Sequence, residues 1–434
     1  MFSDKTPVIR DYPQKTSPKD PPGNLVQFEL TDSGHNLPSD TSKGQILYHH
    51  RTQCNGAEGV HIRGMIDGFT KNGYVLDVVG PPGVNPYAGR KSYGKEDDSR
   101  MAKILRKISD SAPEPFFEGA EIAYNLYGHI KCETKIRRKR YDFIYERFSL
   151  NMFSTALLAS KYQLPFVLEV NDSTLIPRTR RLYFSNLANK LENQTFRKAD
   201  LIVTISNTFK DLIVHAHDIS PEKILVLPNA VDPDRFSLDP DLRFSRESLR
   251  IEARHIIGCA GAFVPWHGLA CMVEALSPIV RQCDIHILLI GDGPVRQEVE
   301  SLAKNLNISD RVQFTGLMRH ETVPYLLDLL DICIIPDSNA HGSPMKLFEF
   351  MASAKPVVAP RYQPILEIVT EGREGYLFDP GSATSLRECV EKLISCPAAR
   401  KQMGKEAKQT VLMKHTWVKN AQRVLSVLED KRLK

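Results

Sequence analysis

Short apolar segments that each end at a turn recur along this chain, and segments with helical spacing of apolar residues separate them. The first apolar segment is QILYHH (residues 45–50), which a glycine-containing loop and a helical segment connect to YVLDVVG (residues 74–80). This order of strand, loop, helix and strand is the opening unit of a doubly wound parallel sheet. Three further strands are predicted in LPFVLEVND, ADLIVTIS and KILVLPN.

The same alternation begins again in the second half of the chain. Its strands are predicted in HIIGCAG, DIHILLIGDG, RVQFTG, ICIIPD and KPVVAP. Strands that alternate with helices at this rhythm form parallel sheets, and 434 residues are too many for one ordinary core. We therefore expect an α/β protein of two Rossmann-like, doubly wound parallel-sheet domains that face a cleft. Ligands of such sheets bind beyond the carboxyl ends of the strands, so the cleft is the predicted site.

Composition marks the boundaries of these units. Residues 1–44 are rich in Pro, Asp, Lys, Ser and Thr and show no periodicity, which predicts a disordered N-terminal extension. We expect the first Rossmann-like domain over residues 45–240 and the second over residues 250–415, with a short polar linker between them. The amphipathic segment in residues 416–434 is expected to form a helix that crosses back to the first domain.

Charge, cysteine content and hydropathy argue against several classes of protein. The formal net charge of +5 is mild, and the chain lacks the dense basic stripe with interleaved aromatic residues that is typical of nucleic-acid binding. The eight cysteines form no C-x-x-C pair, so we expect reduced core residues and no metal site. The sequence shows neither an apolar leader nor an apolar run of about 18–20 residues, which predicts a cytoplasmic protein.

A basic run, RRKR at residues 137–140, has two interpretations. Such a run is usually a solvated face. Contact with anionic head groups at the inner face of the membrane is the second interpretation. The amphipathic segments of the first domain are predicted to pack into the core and not to anchor the protein in a membrane.

The segment that says most about chemistry is HGSPMKLFEFMASAKPVVAP at residues 341–360. Its glycine–serine–proline turn (residues 342–344) leads into a predicted helix, whose first turn offers unpaired N–H groups that suit a diphosphate. Lys346 adds a cation there, and Glu349 adds a carboxylate that can accept hydrogen bonds from ribose hydroxyls. By itself the segment is also typical of a capped surface helix followed by a buried strand.

This segment stands in a set of motifs that together resemble the family 4 glycosyltransferases of the two-Rossmann-domain (GT-B) type. The set covers about residues 45–430 and consists of YHHRTQCNGAEGVHIRGM, FIYERFS, PFVLEVND, ADLIVTIS with PNAVDPDRF, GAFVPWHG, LLIGDGP, GLMRHETVPYLLDLLDICIIPD and SPMKLFEFMASAKPVVA. The resemblance implies a UDP- or GDP-sugar donor, retention of the anomeric configuration, and no need for a metal ion or cofactor. In such a mechanism the leaving diphosphate oxygen helps to deprotonate the acceptor hydroxyl.

Several positions depart from the pattern of that family. Of the two glutamates expected in the donor segment, Glu349 matches the one that binds ribose, and His341 stands at the other position. The arginine and lysine that often clamp the donor phosphates are replaced by Ala262 and His267. Asn171 stands where many relatives have a histidine. These substitutions occur together in one subgroup of the family, so the resemblance still implies an active enzyme.

The resemblance implies roles for residues on both sides of the cleft. A leaving diphosphate develops negative charge that a catalyst must stabilise, and the residues expected to act in catalysis are His267, Lys346, Asn171 and Arg51. The residues expected to bind the donor are Gly56, Gly59, Gly261, Leu317, His341, Gly342, Ser343, Pro344, Met345 and Glu349. The residues expected to face the acceptor, which is a glycan, a lipid-linked molecule or a small molecule, are Glu58 and Asn171.

Two other functions stay open at this point. A sugar-nucleotide epimerase or hydrolase could use the same double-Rossmann plan, but it needs further acid and base groups in the cleft. A scaffold that kept the fold and lost catalysis would account for the replaced residues, although it has little reason to keep the SPMKLFE segment.

Overall fold

The computed structural model describes residues 42–54, 56–87, 114–178, 182–239 and 244–432. Nearly all of the predicted N-terminal extension, residues 1–41, lies outside the described residues. Within them the chain forms two β-sheets of six parallel strands each, flanked by helices. The α/β class and the doubly wound plan expected from the sequence are confirmed.

The first sheet is built from the N-terminal half of the chain, and its strands lie in the order β2-β1-β3-β4-β5-β6. Its strands are β1 (Gly44–His49), β2 (Tyr74–Val79), β3 (Phe143–Arg147), β4 (Phe166–Val170), β5 (Leu201–Thr204) and β6 (Ile224–Val226). The helices of this half are α1 (Ala57–Lys71), α2 (Glu114–Arg138), α3 (Ser154–Tyr162), α4 (Ser185–Lys198) and α5 (Asn207–His217).

The second sheet repeats the plan, with its strands in the order β12-β11-β10-β7-β8-β9. Its strands are β7 (His255–Ala260), β8 (Ile285–Ile290), β9 (Val312–Phe314), β10 (Ile332–Ile334), β11 (Val357–Pro360) and β12 (Gly375–Phe378). The helices that follow these strands are α6 (Leu269–Leu276), α7 (Arg296–Asn305), α8 (Val323–Asp328), α9 (Met345–Ala352), α10 (Gln363–Leu366), α11 (Ala383–Ser395) and α12 (Pro397–Lys414), and the last helix is α13 (Trp417–Arg432).

The central strands owe their position to continuous apolar runs. Strands β7 (HIIGCA) and β8 (IHILLI) are buried along their whole length, as expected when helices cover a parallel sheet. Strands β3 and β4 are also wholly buried, yet they carry Glu146, Arg147 and Glu169. Charged groups in such strands need partners, and those partners define part of the site below.

Each sheet reverses its strand order beside its first strand, β1 in one sheet and β7 in the other. Such topological switch points open a crevice at the carboxyl ends of the strands, where ligands of doubly wound sheets bind. The loops after His49 and Ala260 therefore border the candidate site.

The last helix, α13, lies on α1 of the first half. A Cβ placed on Gly64 would come within 2.4 Å of the Trp417 ring, and one placed on Gly68 would come within 2.5 Å of the Trp417 carbonyl oxygen. Glycine at these two positions therefore permits the close packing of the two helices. The exact domain boundaries proposed from the sequence stay predictions.

None of the described helices combines the length and the apolar character that crossing a bilayer requires.

Candidate functional site

Lys346 lies in the first turn of α9, beside the loop that follows β7. A Cβ placed on Gly261 would lie 3.6 Å from the Lys346 Nζ, and Gly261 itself has a positive φ of 132°. The ammonium is buried and has no hydrogen-bond partner among the described residues. Because burying an unpaired ammonium costs several kcal/mol, this position calls for an anion. The N-terminus of α9, whose dipole also favours negative charge, lies at the same place.

His267 flanks the same place. Its Nδ1 lies 2.6 Å from the Ala262 carbonyl oxygen, so the ring donates from Nδ1 and its Nε2 carries the lone pair. Burial lowers the pKa of His267, and the nearby Lys346 ammonium lowers it further. Before any anion binds, His267 is therefore a neutral imidazole, and the cationic charge at this place comes from Lys346.

Glu349 lies one turn further along α9. Its Oε1 accepts a hydrogen bond from His320 Nε2 at 3.1 Å and lies 3.5 Å from a guanidinium nitrogen of Arg235. Burial alone would raise the pKa of Glu349, but His320 and Arg235 outweigh it and hold the pKa below the ordinary value. The carboxylate is therefore ionised and can accept hydrogen bonds from hydroxyl groups.

Arg235 was not predicted from the sequence. Besides lying near Glu349, it binds the loop on which Leu317 lies. Its guanidinium donates to the His320 carbonyl oxygen at 2.7 Å and so ties that loop to the segment before β7. Leu317 is exposed at the start of the loop, directly after Gly316, whose φ is 72°. Leu317, expected from the sequence to bind the donor, thus presents an exposed apolar side chain on this loop.

The loop before α9 is fastened to the first half of the chain. The Ser206 hydroxyl donates to the His341 carbonyl oxygen at 2.6 Å, and the His341 ring packs against Phe209. The Ser343 hydroxyl accepts from the Asn229 main-chain N–H at 3.0 Å, and the Asn229 amide donates to the Ser343 carbonyl oxygen at 2.5 Å. His341 and Ser343 thus contact the first half of the chain, and these contacts hold the loop before α9 (residues 341–344) in place.

The remaining residues of this loop have mostly structural surroundings. A Cβ on Gly342 would lie 2.2 Å from the end of the Asn339 side chain, which is exposed and would have to move to admit a larger residue. Pro344 is the N-cap residue of α9 and provides no side-chain hydrogen bond to the helix. Met345 packs against the apolar cluster of the first half. The first turn of α9 is therefore left uncapped by its own N-cap side chain.

A buried network surrounds Glu169 on the first-half side of the cleft. Its carboxylate accepts from Asn171 at 2.5 Å, from the Tyr145 hydroxyl at 2.6 Å and from Arg147, and it pairs with His61 at 2.7 Å. Burial alone would raise the pKa of Glu169, but His61 and Arg147 outweigh it and lower the pKa to about 2. Asn171 is therefore held by an ionised, fully partnered carboxylate.

His61 connects this network to the donor loop. Its Nε2 faces the Glu169 carboxylate, and its Nδ1 lies 2.8 Å from Asn229 Oδ1. Asn229 uses its NH₂ group on the Ser343 carbonyl oxygen, so its oxygen is the atom that faces His61. Both ring nitrogens of His61 thus face side-chain oxygens, one on each side of the ring. A continuous chain of hydrogen bonds runs from Glu169 to Ser343.

Sequence reasoning placed Asn171 in the cleft but missed Glu169, His61 and Asn229. Glu169 is the one carboxylate in the apolar segment PFVLEV, which is the signal that could have found it. Glu146 and Arg147, which are adjacent in β3, are both buried and have different partners. Glu146 contacts His49 at 2.7 Å, whereas Arg147 contacts Glu169.

Arg51, expected from the sequence to act in catalysis, has a partner within the first half of the chain. Its guanidinium donates to the Glu121 carboxylate at 2.6 Å, and Asn151 donates to the other oxygen of that carboxylate at 3.2 Å. A half-buried arginine needs such a partner whether or not a ligand is bound. Its role at the cleft stays a prediction.

Two glycines lie at and just after the start of α1, where the chain turns away from β1. Gly56 has a φ of 78°, and a Cβ on Gly59 would lie 2.0 Å from the Cys54 carbonyl oxygen. No side chain caps α1 at Gly56, which leaves its first N–H groups available. Glu58, expected to face the acceptor, lies in the first turn and disfavours an anion at that end.

No group of three or more His, Cys, Asp or Glu side chains able to hold a metal ion occurs in the part of the chain that the structure describes.

Two family models match this chain, one in each half. The model described as "Glycosyltransferase Family 4" matches residues 55–235, and the model described as "Glycosyl transferases group 1" matches residues 242–410.

The chain is also similar to proteins that are named as glycosyltransferases, and it shares its fold with solved structures. The chain is 24% identical over 264 residues to alpha-D-kanosaminyltransferase from Streptomyces kanamyceticus, covering 59% of this chain and 68% of that one. It is 27% identical over 214 residues to a GDP-mannose-dependent alpha-(1-6)-phosphatidylinositol monomannoside mannosyltransferase from Mycolicibacterium smegmatis. That match covers 48% of this chain and 56% of the relative. The structure of HepE from Anabaena in complex with UDP-glucose matches with a TM-score of 0.63 at 18% identity, covering 89% of this chain and 100% of that one.

Proposed function

Because the chain belongs to the family 4 glycosyltransferases and has their GT-B fold, we propose that it transfers a sugar from a nucleotide-diphosphate sugar to an acceptor hydroxyl with retention of configuration. The observation that carries the proposal is the buried ammonium of Lys346, which has no partner among the described residues. It lies at the N-terminus of α9 and beside Gly261, where the helix dipole and main-chain N–H groups also favour an anion. A donor diphosphate supplies that anion.

The proposed roles of the second-half residues follow from their geometry. Lys346 and the first turn of α9 stabilise the charge that develops on the leaving diphosphate. His267 becomes protonated as the diphosphate binds and then donates to it from Nε2. The ionised carboxylate of Glu349 accepts from the ribose hydroxyls, and Leu317 lies near the base. Gly342 and Pro344 keep the loop tight enough for the main chain to approach the phosphates.

The first half forms the acceptor side. Asn171 is oriented by Glu169, so its amide has a fixed direction at the carboxyl end of β4. Gly56 and Gly59 give the β1–α1 loop its tight turn, and Glu58 can accept hydrogen bonds from acceptor hydroxyls there. The acceptor proton passes to the leaving diphosphate oxygen, so that no protein base is required in this proposal.

Uridine is the first candidate for the donor base. Solved structures of HepE from Anabaena contain UDP and UDP-glucose. A guanosine donor is the second candidate, since the mycobacterial relative is named as GDP-mannose-dependent. A scaffold without catalysis is disfavoured, because it would bear the cost of a buried, unpartnered lysine without using it.

Calorimetry of the purified protein with UDP, GDP, ADP and TDP tests the donor site. We expect one nucleotide to bind the wild type, and Lys346→Met and Glu349→Gln to lose most of that affinity. Turnover of the matching sugar nucleotide should fall in Lys346→Met by about 10²–10³-fold, the usual cost of removing one charge-stabilising donor.

Lys355→Met is the matched control for that experiment. The Lys355 ammonium lies in the same half of the chain but donates to the Asp328 carbonyl oxygen at 2.7 Å. Its loss should leave nucleotide affinity unchanged. Equal affinity and turnover in wild type and Lys346→Met would overturn the proposed donor site.

A further inference from the structure

Helix α2 carries an exposed apolar row along the outside of the first half. Phe116 is 73% exposed, Leu126 is 70% exposed and Ile130 is 54% exposed. Ala120 and Ala123 are exposed between them. Spacings of three and four residues place all five on one face of the helix, over about 21 Å. Large apolar side chains in a continuous row are not expected on a surface that faces only water.

The same face becomes cationic in its last two turns. Lys131, Arg137 and Arg138 are exposed and continue the row, and Lys139 and Arg140 follow directly. Between residues 115 and 138 no exposed side chain is a carboxylate, because the glutamates of the helix are buried or half-buried. Glu133, at the edge of the face, already binds Arg137 and Lys161. We call this face, from Phe116 to Arg138, the α2 stripe.

Neighbouring elements widen the apolar end of the stripe. Tyr183 and Phe184 are 66% and 39% exposed, and Leu187 on α4 is 42% exposed. The buried Glu118 of α2 accepts hydrogen bonds from the Tyr183 and Phe184 main-chain N–H groups, at 2.8 Å for Phe184, and so holds this segment beside the start of the stripe. The apolar surface is therefore a broad patch that is fixed in place by the fold.

We propose that the α2 stripe docks on an anionic membrane surface. An apolar face next to a cluster of Lys and Arg is the arrangement by which a helix lies in the membrane interface, with its apolar side chains among the lipid chains and its cations at the head groups. The two exposed aromatic residues beside it suit the same boundary, where one side is apolar and the other is wet. In this proposal the RRKR run contacts the lipid head groups at the cationic end of the α2 stripe.

Charge argues against two other occupants of this face. A second copy of the chain would bring a stripe without an exposed carboxylate against these cations. Residues 88–113, which precede α2, contain seven Lys or Arg and four Asp or Glu, so this segment would add cationic charge where the stripe is already cationic. Anionic lipid is the surface that complements both the apolar and the cationic end.

The stripe also runs beside the proposed acceptor side of the cleft. Glu121 lies on α2 within the apolar half and binds Arg51, directly after β1. Docking through the stripe would therefore hold the carboxyl ends of the first sheet near the head groups. Resting on the proposed function, this favours a lipid-linked acceptor over a small soluble one.

Co-sedimentation of the full chain with vesicles tests the docking surface without any sugar donor. We expect binding to phosphatidylcholine vesicles that contain about a third phosphatidylglycerol, weak binding to phosphatidylcholine alone, and loss of binding at high salt. Leu126→Asp/Ile130→Asp should abolish binding, and Lys131→Glu/Arg138→Glu should weaken it roughly fivefold for each cation removed.

Leu366→Asp/Met413→Asp is the matched control, since it places the same charges on two exposed apolar residues of the second half, which are 40% and 58% exposed. It should bind vesicles like the wild type. Failure of the wild type to bind anionic vesicles, or equal loss in this control, overturns the proposal. A lower Tm of Leu126→Asp/Ile130→Asp would instead indicate that another part of the chain covers the α2 stripe. A wild-type dimer that this variant dissociates would indicate that a second copy covers it. Either result also overturns the proposal. Nucleotide calorimetry on the same samples tells whether the donor site is intact.

Discussion

Two buried charges, one on each side of the cleft, differ in whether the chain provides them with partners. In the first half, Glu169 is contacted by Arg147, His61 and Asn171, and its pKa is lowered to about 2. In the second half, the Lys346 ammonium is buried with no hydrogen-bond partner in the described part of the chain. The Glu169 carboxylate is satisfied without a ligand, whereas the Lys346 ammonium is satisfied only when an anion binds.

This difference separates residues that hold the fold from residues that bind. Removing one partner of a buried ion pair leaves an uncompensated charge and costs stability, whereas removing a buried charge that has no partner relieves a cost. Stability that is given up at one position is a common sign of a binding site. The chain of hydrogen bonds from Glu169 through His61 and Asn229 then holds the Ser343 loop, and so sets the position of α9 and its lysine.

The largest effect is expected from Glu169→Gln, which removes the negative charge at the centre of the first-half network. The neutral amide leaves Arg147 and His61 buried without their counter-charge, so the free energy of unfolding should fall by about 3–5 kcal/mol at neutral pH. In the wild type the folded-state pKa lies below the unfolded one, so this stability is present above the unfolded pKa. It is lost as the pH falls from about 4.5 towards about 2. Urea unfolding of both proteins at several pH values measures this.

Glu133→Gln is the control for that measurement. Glu133 also has several partners, among them Lys161, Arg137 and the Tyr162 hydroxyl, but Glu133 is only half-buried and its two cationic partners are exposed, so salt and water screen these pairs. Its substitution should cost much less stability. If the two variants lost the same stability, burial of the Glu169 network would not explain its role.

The two sides also differed in how well the sequence revealed them. The donor loop is continuous in sequence, so its turn, Lys346 and Glu349 could be predicted together from the spacing of the SPMKLFE segment and its resemblance to a family. The Glu169 network joins residues from α1, β3, β4 and the segment before β7, and no local pattern connects them. Parallel strands could be predicted from apolar runs, but the partner of a polar residue inside one depends on tertiary packing.

Two further expectations show the same limit of local pattern. Arg51 was expected to act in catalysis, but only the structure shows that Glu121 of α2 binds it. The helices of the first half were expected to pack into the core, and α2 does so through Cys132, but it also exposes Phe116, Leu126 and Ile130. Amphipathic spacing predicts that a helix has an apolar face but does not tell what covers it.

A second, opposite effect is expected from Lys346→Met without ligand. Methionine fills similar space and removes the unpartnered charge, so the free energy of unfolding should rise by about 1–2 kcal/mol. Lys355→Met should lower it, because the Lys355 ammonium has a carbonyl partner. The comparison would fail if Lys346→Met unfolded more easily than the wild type, since the lysine would then have a structural partner in solution.

The smallest effect concerns the protonation of His267. It tells how much positive charge the second-half side still lacks before a diphosphate binds. Burial and Lys346 lower the pKa of this histidine in the free protein, so its ring is neutral near pH 7. A bound diphosphate adds negative charge beside it and should raise that pKa, so nucleotide binding should take up as much as one proton. By linkage, affinity should then rise by at most about tenfold per pH unit as the pH falls between the free and bound pKa values. Calorimetry in two buffers of different ionisation enthalpy counts the proton, and His267→Gln, which keeps an N–H donor, corrects for protons taken up by the nucleotide itself. An equal proton count in wild type and His267→Gln would mean that Lys346 and the α9 N-terminus satisfy the diphosphate alone.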